Sequence, residues 1–564
     1  MPQPASRVPA PFAFARALGL TRSCARAPEA MPVARAGIRV VARAALLALA
    51  LTLPIPADAQ LSGSSLLFAQ AGNWPETFAD RGSPNRESSY ALVNLQYLSG
   101  DGLVGLRFET DRNSDQLNEY QGLSQRYVDW SHDGLHVRVG NFYTILGRGL
   151  VHRSFELTGV VLENTSFRTR WSPSRDVDGA LLEYERGPVR AKLLTGSPSE
   201  GTVSLAEEQL LDRPQHRGHL SGGELALALP RGARIGTTYQ RTGGGIDPST
   251  LLPRQQEAGS GFLELDMFQL AASDRGSMPV YFEYAQQDRT IGEWWRFDRR
   301  DHVPHALYAS TSLAYGDWGL AAEWKDYAKF ALGTNDLPSL VREHSALLLN
   351  RSTHVLLAQR EQGYQIELSW SPRPGATLIG NLSQADNARG DQFTERFAEF
   401  RWMPSPGAAW ETSLFWDRSA DSALSVIQRD TYGAGGRLGW RGIWSVAAEV
   451  ERQTAARVGF DFTTFGIVRQ RYENVFASLA VTRADVGSLA VSWERTTDPL
   501  DPSWDFGRGR PLHFVGWSAS ARVAERHEAV LFAGQRRGGL ACTAGTCYQV
   551  QPFKGIELRL SSRF

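Results

Sequence analysis

Apolar and polar side chains alternate in one segment after another from about residue 62 to the end of the chain. Tyr364, Ile366, Leu368 and Trp370 alternate with Gln365, Glu367 and Ser369, and Ala398, Phe400 and Trp402 alternate with Phe397, Glu399 and Arg401. Trp410, Thr412, Leu414 and Trp416 do the same against Glu411, Ser413, Phe415 and Asp417. Early in the pattern, Val104, Leu106 and Phe108 face away from Gly105, Arg107 and Glu109, and Leu135, Val137 and Val139 from His136, Arg138 and Gly140. Successive residues of a strand point to opposite faces, so a period of two predicts strands with one apolar and one polar face. Trp or Tyr repeatedly closes the apolar face, as at Tyr97, Trp130, Trp370, Trp402, Trp416, Trp440 and Trp493. A transmembrane β-barrel requires this pattern: lipid outside, water inside, and amphipathic rings at the interface.

Gly, Pro and Asp combinations suited to hairpins punctuate the pattern at 100–102, 132–134, 186–188, 230–232, 273–276, 315–317, 372–375, 404–407, 441–442, 483–485 and 525–526. Longer polar stretches alternate with them at 243–258, 285–303, 331–362, 418–430, 452–473 and 495–510. Short turns at one end and long loops at the other are the asymmetry of an outer-membrane barrel; with both termini at the short-turn end, these turns correspond to roughly 24 strands, within a range of about 20–26. A β-propeller has comparable turn spacing but repeats a blade motif, and this sequence has none. The expected fold is all-β, a large single-domain antiparallel barrel over residues 60–564 with no separate plug domain.

Both ends of the chain fit this expectation. The final strand puts Ile556, Leu558, Leu560 and the terminal Phe564 on one face and Glu557, Arg559 and Arg563 on the other. In a soluble sheet that edge would invite aggregation, whereas in a barrel the last strand pairs with the first. The ending resembles the C-terminal strand that bacterial outer-membrane barrels present to their assembly machinery, although Ser562 departs from the pattern. Near the other end, Arg35, Arg39 and Arg43 precede the apolar run 44–53, then Pro54, Pro56 and the small-residue box Ala57-Asp58-Ala59. That order reads as a secretory signal over 31–59 with cleavage before Gln60. Its apolar run falls short of the about 20 residues of a spanning helix. Residues 1–30, rich in Ala, Arg and Pro, have no place in such a signal, and the expected translation start is Met31.

Charge narrows the partners. Residues 1–59 hold seven Arg and two acids, so removing them from totals of 60 and 60 leaves 53 basic and 58 acidic side chains. A mildly acidic protein is a poor candidate for nucleic-acid binding. Mean hydropathy is −0.31, an average that cannot register a barrel. Of three cysteines, Cys542 and Cys547 lie beyond the signal. In an exported chain they read as a disulfide; free thiols are the alternative, and a metal site lacks further ligands.

Two stretches do not read as lipid-facing wall. One runs from Gly140 through Gly147-Arg148-Gly149 and His152-Arg153-Ser154-Phe155-Glu156 to Arg168, Arg170 and Arg175; the other holds Arg342-Glu343-His344-Ser345, Asn350-Arg351-Ser352-Thr353-His354 and Glu361. Together they resemble an uncharacterised, porin-like family of bacterial outer-membrane barrels, in which a Gly-Arg-Gly segment follows an early strand and Arg-Glu-His-Ser precedes Asn-Arg-x-x-His. The resemblance implies a barrel in the outer membrane and no substrate or reaction.

The second stretch is too long for a simple loop and too polar for a lipid-facing strand. Folded inward, Arg342, Glu343, His344, Asn350, Arg351 and His354 would form a mixed-charge filter, with Arg148 and Arg153 lining the same lumen. The competing reading is that these charges only satisfy one another. His344 and His354 are spaced without the logic of a metal site.

A first strand starting almost at the cleavage site leaves no room for the plug of an energised uptake receptor. The expectation is therefore a porin-like channel for small solutes. A translocon or docking barrel for surface or periplasmic proteins is the alternative. His152 and Ser154 share a strand face, with Glu156 as a conceivable orienter, and resemble the His-x-Ser pair of outer-membrane acyl hydrolases; the Arg-rich surroundings argue against that reading, and no enzyme activity or cofactor is expected. Expected partners are outer-membrane lipid and lipopolysaccharide, the barrel-assembly machinery through Phe564, and a small solute.

Overall fold

The computed structural model describes residues 59–73, 86–114, 118–164, 169–199, 208–209, 215–246, 253–288, 304–330, 332–339, 342–355, 360–405, 409–461, 466–499, 501, 511–543 and 546–564. The expected upstream extension, the export signal up to Asp58, and Arg168 lie outside these residues.

Each wall strand pairs antiparallel with its neighbour in the chain, and 24 strands close into a barrel. The first five are Ala59–Asn73, Arg86–Ser99, Gly102–Asn113, Tyr120–His132 and Leu135–Phe142. After residues 143–176, eight more follow: Val177–Arg186, Val189–Pro198, His219–Leu229, Ala233–Ile246, Pro253–Asp266, Pro279–Asp288, His305–Tyr315 and Trp318–Ala328. After residues 329–359 come ten: Arg360–Arg373, Ala376–Asn387, Gln392–Trp402, Trp410–Asp421, Val426–Trp440, Trp444–Asp461, Gly466–Arg483, Gly487–Thr496, Leu512–Ala524 and His527–Arg536. Residues 537–552 then precede the last strand, Phe553–Arg563. All the predicted tight turns fall between consecutive strands at one end of the barrel. No helix among the described residues is long and apolar enough to cross a membrane; the strands do so.

Closure is made by the two terminal strands, paired from Ser64 opposite Arg563 to Asn73 opposite Lys554. Phe564 N–H donates to Gly63 O at 3.0 Å, and Gly63 N–H donates to Phe564 O at 2.8 Å. The seam therefore continues to the last residue, and no backbone edge is left for lipid or another chain.

Alternation sorts the side chains as expected. Val104, Leu106, Phe108, Val139, Ile366, Leu368, Leu414, Ile556 and Leu558 are exposed on the outside, while Arg107, Glu109, Glu395, Glu399 and Asp417 are buried inside. Aromatics bound the apolar face: Trp318 stacks on Trp370 with centroids 5.2 Å apart, Trp440 on Trp444 at 6.1 Å, and Trp402 meets Trp410 edge-on at 4.9 Å, all near the short turns. Toward the other end, Trp324, Trp416, Tyr432 and Trp493 mark the opposite interface.

Three expected long loops are largely strand. Within 243–258, 418–430 and 452–473 the strands run to Ile246 and from Pro253, to Asp421 and from Val426, and to Asp461 and from Gly466, and the last two strands are each 18 residues long. Beyond the membrane both faces of a strand meet water, so hydrogen bonding continues after the period-two signal has ended.

The seam is tight at Gly63, where an added Cβ would lie 2.5 Å from the Phe564 ring and 2.6 Å from Asn94 O. Gly63→Val is expected to cost about 1–3 kcal/mol from overpacking, read as a lower denaturant midpoint for loss of the compact, heat-modifiable band on unboiled gels. An unchanged midpoint would show that the seam tolerates a side chain there.

Candidate functional site

The three interruptions in the wall fold into the lumen, and charge pairs with inward-facing wall residues hold them. In the first, Ile145–Leu146 pairs with His152–Arg153 as a short hairpin. Its tip is Gly147-Arg148-Gly149, where φ is +56° at Gly147 and +93° at Gly149, a region that favours glycine. The tip presents backbone amides to wall carboxylates: Gly147 N–H donates to Glu224 at 2.9 Å and Arg148 N–H to Glu283 at 3.1 Å. A Cβ on Gly147 would fall 2.6 Å from Glu283 Oε1. The Arg148 guanidinium lies over the Tyr281 ring, 4.8 Å from its centroid.

Farther along, Arg153 pairs with Asp336 at 2.9 Å and Arg175 donates to Asn335 O at 3.1 Å, joining the first segment to the second. Glu156 pairs with Arg107 of the wall at 2.5 Å. Arg170, only 3% exposed, reaches Ser88 and Gln70 and lies 3.4 Å from Glu163. Its backbone N–H donates to Asp111 at 3.0 Å.

In the second segment, Arg342 pairs with Glu367 and, at 3.6 Å, with Glu399, while Glu343 is exposed. His344 Nε2 lies 3.2 Å from Glu395. The short helix Leu347–Asn350 points its first amides at one wall carboxylate: Leu347 and Leu348 N–H donate to Glu451 at 2.7 and 2.8 Å. Asn350 exchanges two hydrogen bonds with the Cys542 backbone, at 2.9 and 3.0 Å, which ties the second segment to the third. Arg351 pairs with Glu494, and Arg537 meets the same carboxylate at 2.9 Å and Asp501 at 2.6 Å.

His354 Nδ1 lies 2.8 Å from Asp421 and Nε2 3.6 Å from Glu361, with its ring stacked on Phe393. Burial alone would lower its pKa, but hydrogen bonds and charge from Asp421 and Glu361 raise it to about 9. His152 is the opposite case: burial lowers it to about 4 despite its bond to Gln240. The third segment is a hairpin, Gly539–Thr543 on Thr546–Val550, closed by the Cys542–Cys547 disulfide.

The expected site residues are thus spread as anchors around the wall and do not converge on one ring. Asn350 and Arg351 meet at a junction with Cys542 and Arg537, Asn350 also donates to His344 O at 3.2 Å, and Arg342 and His344 both lie against the Phe397 ring. His152 and Ser154 do not face each other: His152 Nδ1 is 2.9 Å from Gln240, and Ser154 Oγ donates to Thr144 O at 2.9 Å. Glu156 is engaged by Arg107. Both His152 and Ser154 are buried away from lipid.

Sequence reasoning missed the wall partners Glu224, Glu283, Glu451 and Glu494, and the lumenal Arg537. An acid on the polar face of a strand was the one visible signal of the four wall partners, and most strands carry one.

Space remains at the short-turn end. A lumenal cavity of about 660 Å³ is lined by Arg522, Arg559, Arg563, Glu528, Asn94 and Ser488 among others. Arg559 donates to Gly159 O at 2.7 Å, while Arg522 and Arg563 form no ion pair among the described residues.

Residues 69–174 match a family of unknown function, DUF6029. That window holds the early strands and the Gly-Arg-Gly segment. No curated protein matches the chain. Among solved structures, the P pilus usher (PapC) translocation pore is similar at 10% identity and a TM-score of 0.45, covering 89% of this chain and 99% of that one. The siderophore receptor PirA from Pseudomonas aeruginosa is similar at 10% identity and 0.39, covering 91% and 81%. A BenF-like porin from Pseudomonas fluorescens is similar at 9% identity and 0.35, covering 64% and 94%. Likeness at this level says nothing about what passes through the barrel.

Two outcomes follow from the anchors. Glu494→Ala leaves the half-buried Arg351 and the buried Arg537 without their shared carboxylate and is expected to lower stability by about 3–5 kcal/mol, measured by denaturant unfolding. His354, raised from 6.5 to about 9, contributes stability that is complete below pH 6.5 and is lost as pH rises through about 9, on the order of 3 kcal/mol. Unfolding free energies should decline across that window in the native protein and stay flat in His354→Gln.

Proposed function

We propose that the protein is an outer-membrane channel for small solutes, with its path shaped by the three lumenal segments. The observation that carries this reading is the polar cavity at the short-turn mouth, whose Arg522 and Arg563 are free of ion pairs among the described residues. Unpaired guanidiniums lining the mouth of the lumen attract anions, so the favoured solutes are small and anionic. Arg148, Arg153, Arg342, Glu343, His344, Asn350, Arg351 and His354 belong to the segments that set the width of the path. Export depends on cleavage near Ala59, and the Phe564 strand serves as the handle for barrel assembly.

A translocon is the second reading. It is favoured by the way the segments are held, through side-chain pairs and not through the wall ladder, so that cargo could displace them without opening the barrel.

The test is single-channel recording of the purified protein in planar bilayers. Stable steps with anion preference are expected, and Arg522→Ser with Arg563→Ser should move the reversal potential toward cation selectivity. Unchanged selectivity would remove the cavity from the conduction path. A silent but inserted barrel that copurifies with periplasmic proteins would favour the translocon.

A further inference from the structure

On the outside of the barrel, the strands Val426–Trp440, Trp444–Asp461 and Gly466–Arg483 change character at one level. Leu438, Tyr432, Val450 and Leu479 are exposed apolar residues of the outward face. On the long-loop side of Tyr432 and Trp416, the same outward face presents Gln428 and Asp430 on the first strand, Thr454 on the second, and Arg469, Arg471 and Glu473 on the third, with Arg452 level with Tyr432. A cavity of about 450 Å³ opens among Gln428, Asp430, Thr454, Arg469, Arg471 and Glu473.

The charges there do not balance. Arg418 pairs with Asp430 at 2.6 Å, and Arg452 and Arg495 share Glu473 at 2.7 and 3.0 Å. Arg469 and Arg471 are exposed and form no ion pair among the described residues. Five guanidiniums thus stand against two carboxylates. A face lying just beyond the aromatic level is at the depth of lipid headgroups, and guanidinium is the side chain best matched to phosphate, through paired N–H donors.

We propose that this groove binds the phosphorylated headgroup of lipopolysaccharide in the outer leaflet, with Arg469 and Arg471 as its principal phosphate ligands. The proposal rests on the outer-membrane reading, which places the long-loop end at the cell surface. Continuity with the lipid-facing wall favours a membrane lipid over a soluble anion, since a headgroup reaches the groove while its acyl chains lie along Tyr432, Val450 and Leu479.

The experiment titrates the purified full-length protein in detergent with lipopolysaccharide, with the same material after enzymatic dephosphorylation, and with inorganic phosphate. Intact lipopolysaccharide should bind in a salt-sensitive way. Arg469→Ser with Arg471→Ser should weaken binding about tenfold or more, and Arg469→Lys with Arg471→Lys should recover part of the loss. Equal affinity in native and Ser variants, or for dephosphorylated material, overturns the proposal. Inorganic phosphate binding as tightly as the lipid would assign the groove to a free anion and likewise overturn it. Insertion into phosphatidylglycerol vesicles is scored separately: a barrel that inserts but ignores the substitutions fails only the groove, whereas one that never inserts fails the membrane reading itself.

Discussion

Backbone amides and carbonyls have no water to bond with inside a bilayer, and the pairing of Ala59–Asn73 with Phe553–Arg563 is where this chain meets that constraint. A sheet of this size left open would expose two unpaired edges to lipid, each unsatisfied group costing several kcal/mol. Closure fixes the rest. Once the ladder is continuous, every strand must put one face toward lipid and the other toward the lumen, and the polar half of each alternation is carried inside, whatever its charge.

The lumen must then accommodate those charges. Glu224, Glu283, Glu395, Glu451 and Glu494 are all buried on the inner wall, too costly to leave without partners. Segments 143–176, 329–359 and 537–552 supply the partners, partly as guanidiniums and imidazoles and partly as bare amides at Gly147, Arg148, Leu347 and Leu348. The same side-chain type plays three roles by position: Arg170 and Arg351 anchor segments, Arg522 and Arg563 face a cavity, and Arg469 and Arg471 face the membrane surface outside. A segment held by side-chain pairs can move without breaking the wall, which is a mechanical condition for any barrel whose passage changes.

Much of the architecture was legible in the chain. The tight turns at 100–102 or 132–134 are written in Gly and Asp, and counting them yields the strand number because a barrel with both termini at one end has a turn for every second connection. Much of 418–430 and 452–473 was read as loop because strands extending into water on both faces lose the alternation that identifies them. The inward course of Arg148 and of Arg342 to His354 was anticipated from length and polarity, but their partners were not. Glu283 lies 135 residues from Arg148 and Glu494 143 residues from Arg351.

Alternation, turn chemistry and an apolar terminal strand are local properties, and by themselves they determined that this chain forms a large closed antiparallel barrel with a lipid-facing exterior. Which carboxylate each inward segment meets, where space is left among them, and which arginines remain without acids were decided only when the barrel curved distant strands around a common lumen. Charge pairing depends on distance in space, and one polar residue on an inward face looks like any other until closure sets those distances.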